Sequence, residues 1–395
     1  AYTIPSCIPA RHAMLTGLYP QSSGVVGFRN KPIPWPTLPE LLGEAGYTTA
    51  LVGREMHQLA NDSKLGYQMC LHGSTYTSDD EYARQIHEAF PQIDAFRQWV
   101  TEQGWTYNHW QAKPWPLSGE WHPTSWVVRN ARQWLKEISD DRPLCLTASF
   151  YAPHPPLFPP KDLFEKYLAA ELPAAAHGDW VDWESLTPEG ADGGQRVLLV
   201  GERLRSAQAG YYGLIEQIDR EIAALIADFQ ARAEKASRPW VIVFTSDHGE
   251  MLGDHGYFRK CEPLEGSANV PMIIAASSDL GFRRGQRSTR PVCLEDVLPT
   301  LLDLAGKPAP EHIDGVSLLP ALPGESTEIR PWLHFEHAPC YSKAQAFHAL
   351  TDGHVKYIWR PLDGRELLFD LDADPREEHN LADDPEDSEL LKKWR

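Results

Sequence analysis

Amphipathic helices alternate with short apolar strands along most of this chain, and this alternation limits the possible folds more than any other feature. Strands that are apolar on both faces are typical of parallel sheets covered by helices on both sides. The sequence therefore predicts an α/β fold with a large, mostly parallel sheet flanked by helices. Thr124 is the expected N-cap of the second helix. The helices are predicted at 37–46, 125–138, 213–235 and 294–306, and the strands at 47–53, 143–150, 239–246 and 270–276.

The C-terminal region has a different pattern. Residues 347–381 read as alternating strands with Asp-Gly turns at 352–353 and 363–364, and such turns favour antiparallel hairpins. We therefore expect a small antiparallel sheet in a C-terminal subdomain of residues 326–395, packed on a main domain of residues 1–325.

Two segments look like insertions. Residues 99–126 carry tryptophans at positions 99, 105, 110, 115, 121 and 126. Such tryptophans most often anchor an irregular loop on the body of a domain, although their rings could also stack on a sugar or aryl group. Residues 169–196 are rich in Ala, Gly and Pro and are expected to form a loose surface loop.

The charge of the chain argues against one class of partner. The 395 residues carry a formal net charge of −18 and no long run of Lys or Arg, whereas a protein that binds nucleic acid presents a basic face. The longest apolar runs, such as 240–244, are too short to cross a membrane. The composition fits a soluble enzyme for a small substrate, and an anionic substrate would require a local basic pocket.

The start of the chain and its cysteines leave several properties open. Because the chain begins at Ala1 and not at methionine, we expect a processed or trimmed product, in the cytoplasm or exported. The six cysteines show no metal-binding spacing, and a chain of this length needs no disulfides. Nothing in the sequence indicates the oligomeric state.

Each of the first three predicted strands is followed by a loop that contains histidine. The loops REMH, YAPHPP and DHGE begin at 54, 151 and 247. Ligands of α/β sheets collect beyond the carboxyl ends of the strands, so these loops are candidates for a functional site. Asp247 and His248 combine a carboxylate with an imidazole, which suits a hard or borderline divalent cation.

Cys7 lies just before a predicted helix, in the stretch PSCIPARHAMLTG at 5–17. The N–H groups and dipole at a helix start favour an anion, so one interpretation is an activated thiolate. The spacing to Pro9 and Arg11 forms the pattern C-x-P-x-R. This pattern favours a different interpretation of Cys7.

Four blocks, in order along the chain, resemble those of the type I sulfatases of the alkaline phosphatase superfamily. The resemblance runs from residue 1 to about 382 and is to the branch that includes arylsulfatases, choline sulfatase and phosphonate monoester hydrolases. It implies an alkaline-phosphatase-like fold, with residues 1–325 as the catalytic domain. The blocks are the C-x-P-x-R stretch, the histidine loop YAPHPPLFPP at 151–160, the segment TSDHGEMLGDHGYFRK at 245–260 and the C-terminal signature LFDLDADPREEHNLA at 368–382.

The resemblance implies that Cys7 is oxidised to formylglycine by a formylglycine-generating enzyme. The hydrated aldehyde is a geminal diol, in which one hydroxyl attacks sulfur and the other, once deprotonated, releases sulfate by elimination. The substrate would be an aryl, sugar or small-alcohol sulfate monoester, and Arg11 would hold the nucleophile.

The resemblance also assigns the remaining site residues. Asp247, His248 and the modified Cys7 would bind a divalent metal, Ca²⁺ by preference, with Mg²⁺ or Mn²⁺ as alternatives. Lys260 would bind the sulfate group, and His154 would contact the ester and protonate the leaving alcohol. His255 is interpreted as structural support.

The chain departs from the family pattern in two places. Where the family has G-K-x-H, this chain has Gly53-Arg54-Glu55-Met56-His57. His57 would keep its role near the diol, and Arg54 would bind the substrate with a different geometry, since guanidinium and ammonium are not interchangeable. The family's N-terminal strand, which ends in two metal-binding aspartates, is missing before Ala1, so we expect weak metal binding by the chain as given.

Two alternatives to the sulfatase interpretation stay open. The first is a phosphonate monoester hydrolase or phosphodiesterase, which would use the same metal pair and the same diol. The second is a catalytically inactive relative that binds sulfated glycans, because the ligand set before Ala1 is missing.

Overall fold

The computed structural model describes residues 1–29, 31–55, 65–75, 77, 79–139, 141–187, 196–324 and 329–395. These residues form two compact units. The first unit comprises 1–38, 175–198 and 241–395, and the second comprises 39–174 and 199–240. The predicted boundary between residues 325 and 326 remains a prediction.

The described residues contain the following regular elements. The helices are α1 (Cys7–Thr16), α2 (Pro20–Ser23), α3 (Leu38–Glu44), α4 (Glu81–Ala89), α5 (Phe96–Glu102), α6 (Pro123–Glu137), α7 (Lys161–Ala169), α8 (Gly201–Lys235), α9 (Glu265–Ala268), α10 (Val297–Leu304) and α11 (Ser388–Trp394). The strands are β1 (Thr48–Gly53), β2 (Met69–His72), β3 (Leu144–Ser149), β4 (Val241–Thr245), β5 (Met272–Ala276), β6 (Leu333–His337), β7 (Phe347–Thr351), β8 (Val355–Trp359) and β9 (Glu366–Asp370).

The second unit is built on a parallel sheet of order β2-β1-β3. One face of this sheet, including Val52, packs against a core that contains Phe96 and Trp126. The predicted strands at 47–53 and 143–150 are therefore confirmed, and the sheet is parallel as expected. Because parallel strands end at the same edge, the residues after β1 and after β3 leave the sheet on the same side.

The first unit holds the other two sheets. Strands β4 and β5 pair antiparallel, with Val243 opposite Ile274, and β6-β7-β8-β9 form an antiparallel sheet in that order. Gly353 and Gly364 have positive φ values of 92° and 74°, as the predicted Asp-Gly turns require. The small C-terminal antiparallel sheet is therefore confirmed. Together the sheets agree with an α/β fold of the predicted class.

Two details of the predicted helices are wrong. Helix α6 is capped by His122, whose side chain accepts from the N–H of Thr124, so Thr124 lies inside the helix. Helix α8 begins at Gly201 and not at 213. Gly210 and Gly213 look like a helix start in the sequence, but a Cβ atom at Gly210 would lie 2.6 Å from the Cβ of Ala112. These glycines allow close packing in the middle of a helix.

The two predicted insertions are largely packed. Trp105, Trp110, Trp115 and Trp126 are buried, which supports the anchoring interpretation and leaves those four rings inaccessible to a substrate. In the second insertion, the described stretch 169–187 is not a loose loop, because it buries Ala176, Val181 and Leu186. Among the described residues, no helix combines the length and apolar character needed to cross a bilayer.

Candidate active site

Helix α1 carries Cys7 at its first position. Ser6, the N-cap residue, is extended with a φ of −155°, and its hydroxyl lies 2.7 Å from Nε2 of His337. Gly17 ends the helix with a φ of 69°, as a left-handed C-cap requires. Cys7 is fully buried. The C-x-P-x-R stretch therefore occupies the first turns of a short helix whose N-terminus faces the interior of the first unit.

The thiol of Cys7 lies beside an imidazole. Its Sγ atom is 3.2 Å from Nε2 of His248, while Nδ1 of the same ring is 2.8 Å from the carbonyl oxygen of Gly249. Because that carbonyl can only accept, Nδ1 carries the proton of the neutral ring and Nε2 accepts from the thiol. Burial lowers the pKa of His248, but the charge of Asp247 and the contact with Cys7 raise it, and the net shift is upward.

Asp247 is held by two residues from the start of the chain. Nε of Arg11 donates to Oδ2 of Asp247 at 2.8 Å, and the hydroxyl of Thr3 donates to the backbone carbonyl of Asp247 at 2.8 Å. The other carboxylate oxygen, Oδ1, lies 3.8 Å from Nε2 of His248. The structure thus brings together four predicted site residues, Cys7, Arg11, Asp247 and His248.

Gly249 lets the backbone pass close to a neighbouring segment directly after His248. A Cβ atom at Gly249 would lie 2.2 Å from the carbonyl oxygen of Gly266, and the N–H of Gly249 donates to the carbonyl of Ser267 at 2.8 Å. Only glycine fits such an approach. This contact is the physical reason for the glycine in the DHGE loop.

Lys260 is buried, with 3% of its surface exposed. Its neighbours Arg259 and Cys261 have positive φ values of 75° and 74°, which are rare for residues other than glycine and cluster at functional sites. The N–H of Cys261 donates to the carbonyl of Pro5 at 2.8 Å. Lys260 therefore lies on a constrained segment that is bonded to the residues leading into α1.

Glu250 supports the loop that leads to Lys260, a role that the sequence did not predict. Its carboxylate accepts from the N–H of Leu252 at 3.1 Å and from the N–H of Arg259. It thereby closes the loop that ends at Lys260. Burial raises the pKa of Glu250, and the two backbone contacts oppose that shift. The only signal in the sequence was the acidic residue that follows Asp-His-Gly.

His255 connects separate segments of the first unit. Its Nδ1 accepts from the N–H of Gly178 at 3.1 Å, and its Nε2 donates to the carbonyl of Arg376 at 2.9 Å. Burial lowers the pKa of His255 to about 4, so the ring is neutral near pH 7. Both ring nitrogens bind backbone atoms, which fits the interpretation of His255 as structural support.

Arg54 belongs to the second unit and follows β1. Gly53 has a φ of 110°, and a Cβ atom there would lie 2.0 Å from the carbonyl oxygen of Ser149. Arg54 is buried, and its guanidinium carbon is 4.9 Å from the centre of the Tyr151 ring. The close approach of the parallel strands β1 and β3 at Gly53 thus places Arg54 beside the aromatic ring that follows β3. The predicted residue His57 lies outside the described residues.

His154 lies in the loop after β3, also in the second unit. Its Nδ1 is 2.7 Å from the carbonyl oxygen of Pro155, and its ring centre is 4.9 Å from that of Tyr151. The hydroxyl of Tyr151 donates to the same carbonyl at 3.1 Å. Nδ1 therefore carries a proton, and any further proton that His154 binds or releases is held at Nε2.

The donor atoms around Asp247 fit part of the ligand set of a divalent cation. Asp247 offers a carboxylate oxygen and His248 an imidazole nitrogen, next to Cys7. Ca²⁺ takes six to eight oxygen ligands, so Asp247 would supply part of its coordination sphere, whereas the imidazole nitrogen of His248 suits a borderline cation better. The fit of the donors agrees with the predicted metal ligands, and their assignment as ligands remains a proposal.

Comparison with known proteins identifies the family. The sulfatase family model matches residues 1–307, and the model of the C-terminal region of N-sulphoglucosamine sulphohydrolase matches residues 253–395. An arylsulfatase of Clostridium perfringens is 31% identical over 99% of this chain and 83% of its own length. A choline-sulfatase of Rhizobium meliloti is 33% identical over 96% of this chain and 74% of its own length.

The fold is shared with solved structures. A phosphonate monoester hydrolase of Agrobacterium radiobacter superposes with a TM-score of 0.78 at 21% identity, over 100% of this chain and 85% of that protein. At this identity the likeness shows the fold alone. The family matches and the extended sequence identity show more: this chain belongs to the sulfatase family, and it is a sulfuric ester hydrolase.

Proposed function

We propose that this sulfatase hydrolyses a sulfate monoester of an aryl, sugar or small alcohol, with a formylglycine formed from Cys7 as its nucleophile. The observation that carries the proposal is the position of Cys7 at the start of α1, with Sγ 3.2 Å from Nε2 of His248. When present, the hydrated aldehyde would supply one hydroxyl that attacks sulfur and a second that releases sulfate by elimination.

The residues of the first unit support this chemistry electrostatically. Arg11 orients the carboxylate of Asp247 through the 2.8 Å contact at Nε, which leaves Oδ1 on the side of His248. Lys260 is a buried cation, and a cation with little surrounding water interacts more strongly with a sulfate group than an exposed one. A divalent ion held by Asp247 and His248, with Ca²⁺ as the proposed ion, would supply further charge to offset the anionic substrate.

The residues of the second unit are assigned by the family resemblance. We assign His154 the role of proton donor to the departing oxygen, because Pro155 fixes the proton on Nδ1 and Nε2 then exchanges a proton with the substrate. Arg54 is assigned to bind the substrate's anionic group, with two guanidinium N–H groups where the family's lysine has a single ammonium. His57 is assigned to the diol on the resemblance alone.

The direct test compares ester classes in protein produced together with a formylglycine-generating enzyme. We expect 4-nitrophenyl sulfate to be hydrolysed with a higher kcat/KM than a 4-nitrophenyl phosphonate monoester, and we expect chelation to remove this activity reversibly. A preference for the phosphorus ester would replace the proposal with the phosphonate hydrolase alternative. No turnover of either ester class, with mass spectrometry showing full conversion of Cys7 to formylglycine, would favour a binding protein.

A further inference from the structure

The C-terminal sheet of the first unit carries a group of side chains that could hold a metal ion. His334, Glu336 and His348 each offer one ligand atom, and these three atoms lie within 4.8 Å of one another. We propose that this group, called the sheet site below, binds a borderline divalent cation of the Zn²⁺ type. Imidazole nitrogen and carboxylate oxygen are ligands that Zn²⁺ accepts in proteins.

The strand geometry explains why the three side chains converge. Along β6 the residues are alternately buried and half-buried, and His334 and Glu336 are the half-buried ones, so both lie on the outer face of the sheet. His348 on β7 is directly opposite Glu336 in the antiparallel register. Glu336 and His348 therefore form a directly opposed pair, and His334 is the diagonal neighbour, so all three ligands lie on one face of the sheet.

The distances between the ligand atoms match those of a tetrahedral site. Nδ1 of His348 is 3.1 Å from Oε2 of Glu336 and 3.3 Å from Nε2 of His334. Two atoms bound at about 2.0–2.1 Å to a tetrahedral Zn²⁺ lie about 3.3 Å apart. Two of the three separations therefore already have the required length.

A shared proton satisfies this arrangement less completely than a cation does. Nδ1 of His348 faces both a carboxylate oxygen and a second imidazole nitrogen. A neutral imidazole has one N–H, so Nδ1 can donate to one of these two neighbours at most. A cation at the centre would interact with all three atoms at once.

The ring of His348 is held in position by its neighbours. Trp359 on β8 is opposite His348, and the two rings stack with their centres 5.5 Å apart and an interplanar angle of 23°. The rings of His334 and His348 are inclined by only 15°. Ligands on rigid strands with restrained side chains lose little entropy on binding a metal.

The sheet site is accessible from solvent. The side chain of His348 is 43% exposed, while that of Glu336 is 14% exposed. Three protein ligands leave a fourth tetrahedral position for water. A bound cation would connect β6 to β7 and so stabilise the C-terminal sheet of the folded chain.

The test uses Co²⁺ as the probe, because its visible absorption reports tetrahedral coordination. The protein is saturated with Ca²⁺ and titrated with Co²⁺, and bound metal is counted by equilibrium dialysis. We expect His348→Ala to bind one equivalent of Co²⁺ fewer than the wild type, and Glu336→Gln to bind that equivalent with lower affinity. Since partners behind a metal ligand already contribute about 10–100-fold to affinity, the loss of a ligand should weaken binding by more than about tenfold.

His354→Ala provides the matched control. His354 also lies in the C-terminal region beside a carboxylate, with Nδ1 2.9 Å from Oδ2 of Asp372, but it has no place in the three-ligand group. This variant should still bind the equivalent of Co²⁺ that His348→Ala loses. Asp247→Ala should bind it as well, and that result would distinguish the sheet site from the candidate active site. Equal Co²⁺ binding by the wild type, His348→Ala and Glu336→Gln would overturn the proposal.

Discussion

Nε2 of His248 lies 3.2 Å from Sγ of Cys7, although the two residues are 241 positions apart in the chain. The contact joins the N-terminus of α1 to the loop after β4. Arg11 and Asp247 make a second connection between the same two elements, at 2.8 Å. The proposed nucleophile and the proposed metal ligands are therefore parts of one hydrogen-bonded arrangement, and a change in either should affect the other.

Cys7→Ser should stop after one turnover. A serine at position 7 can attack sulfur, but it lacks the second hydroxyl whose deprotonation releases sulfate. We expect a burst of about one alcohol per enzyme, and intact mass should show one sulfate group retained on the protein. Cys70→Ser, which removes a thiol outside the C-x-P-x-R pattern, should turn over like the wild type. Sustained turnover by Cys7→Ser at the wild-type rate would be incompatible with the formylglycine proposal.

His154→Ala should slow esters of poor leaving groups far more than esters of good ones. An alkoxide leaves with nearly full negative charge and needs a proton, whereas a nitrophenolate is stable without one. General acid catalysis contributes about 10²–10⁴-fold, so kcat/KM for an alkyl sulfate should fall by that much more than for 4-nitrophenyl sulfate. His87→Ala on α4 is the control and should change neither rate. Equal losses for both esters would make His154 a ligand of the sulfate group.

Glu250→Ala should destabilise the chain and reduce kcat, whereas Glu250→Gln should restore most of both. One carboxylate oxygen of Glu250 accepts from the N–H groups of Leu252 and Arg259, and the amide oxygen of Gln can do the same. Alanine leaves these donors without that acceptor, at a cost of about 1–3 kcal/mol in the free energy of unfolding. Urea unfolding and steady-state kinetics measure the two effects. If Gln is as damaging as Ala, the charge of Glu250 matters and not its hydrogen bonds.

His122 should make the chain lose stability in acid. Burial lowers the pKa of His122 to about 3, although the contact with the carbonyl of Phe158 opposes the shift. The unfolded chain binds a proton at this residue below about pH 6.5, and the folded chain does so only near pH 3. Stability from this group is therefore present above about pH 6.5 and is lost as the pH falls. The loss should reach about 2 kcal/mol at pH 5.

His122→Asn tests this assignment without removing the helix cap. The side-chain oxygen of Asn can accept from the N–H of Thr124, as Nδ1 of His122 does at 3.1 Å, and Asn is a favourable N-cap. The difference in the free energy of unfolding between about pH 7.5 and pH 5 should be about 2 kcal/mol smaller in this variant. An unchanged difference would assign the acid sensitivity to other groups.

The sequence was sufficient to predict the local elements and the motif that suggested the family. Apolar runs and helical periodicity depend on residues close together in the chain, so strands such as 47–53 and 143–150 could be recognised without any tertiary contact. The same holds for the Asp-Gly turns and for the C-x-P-x-R pattern from Cys7 to Arg11. Prediction from the sequence fails where a residue's role depends on a distant partner. Gly213 suggests the start of a helix until its close packing against Pro159 is known.

Only the tertiary structure decided which side chains meet. The contact of Cys7 with His248 depends on how α1 packs against the loop after β4, and no local pattern encodes that distance. The roles of Glu250 in closing the Lys260 loop and of His122 as an N-cap were likewise invisible in the sequence, because both act on backbone N–H groups. The sheet site has the same origin. Its ligands come from two strands, and their convergence was determined by the antiparallel register of β6 and β7, which places His348 opposite Glu336.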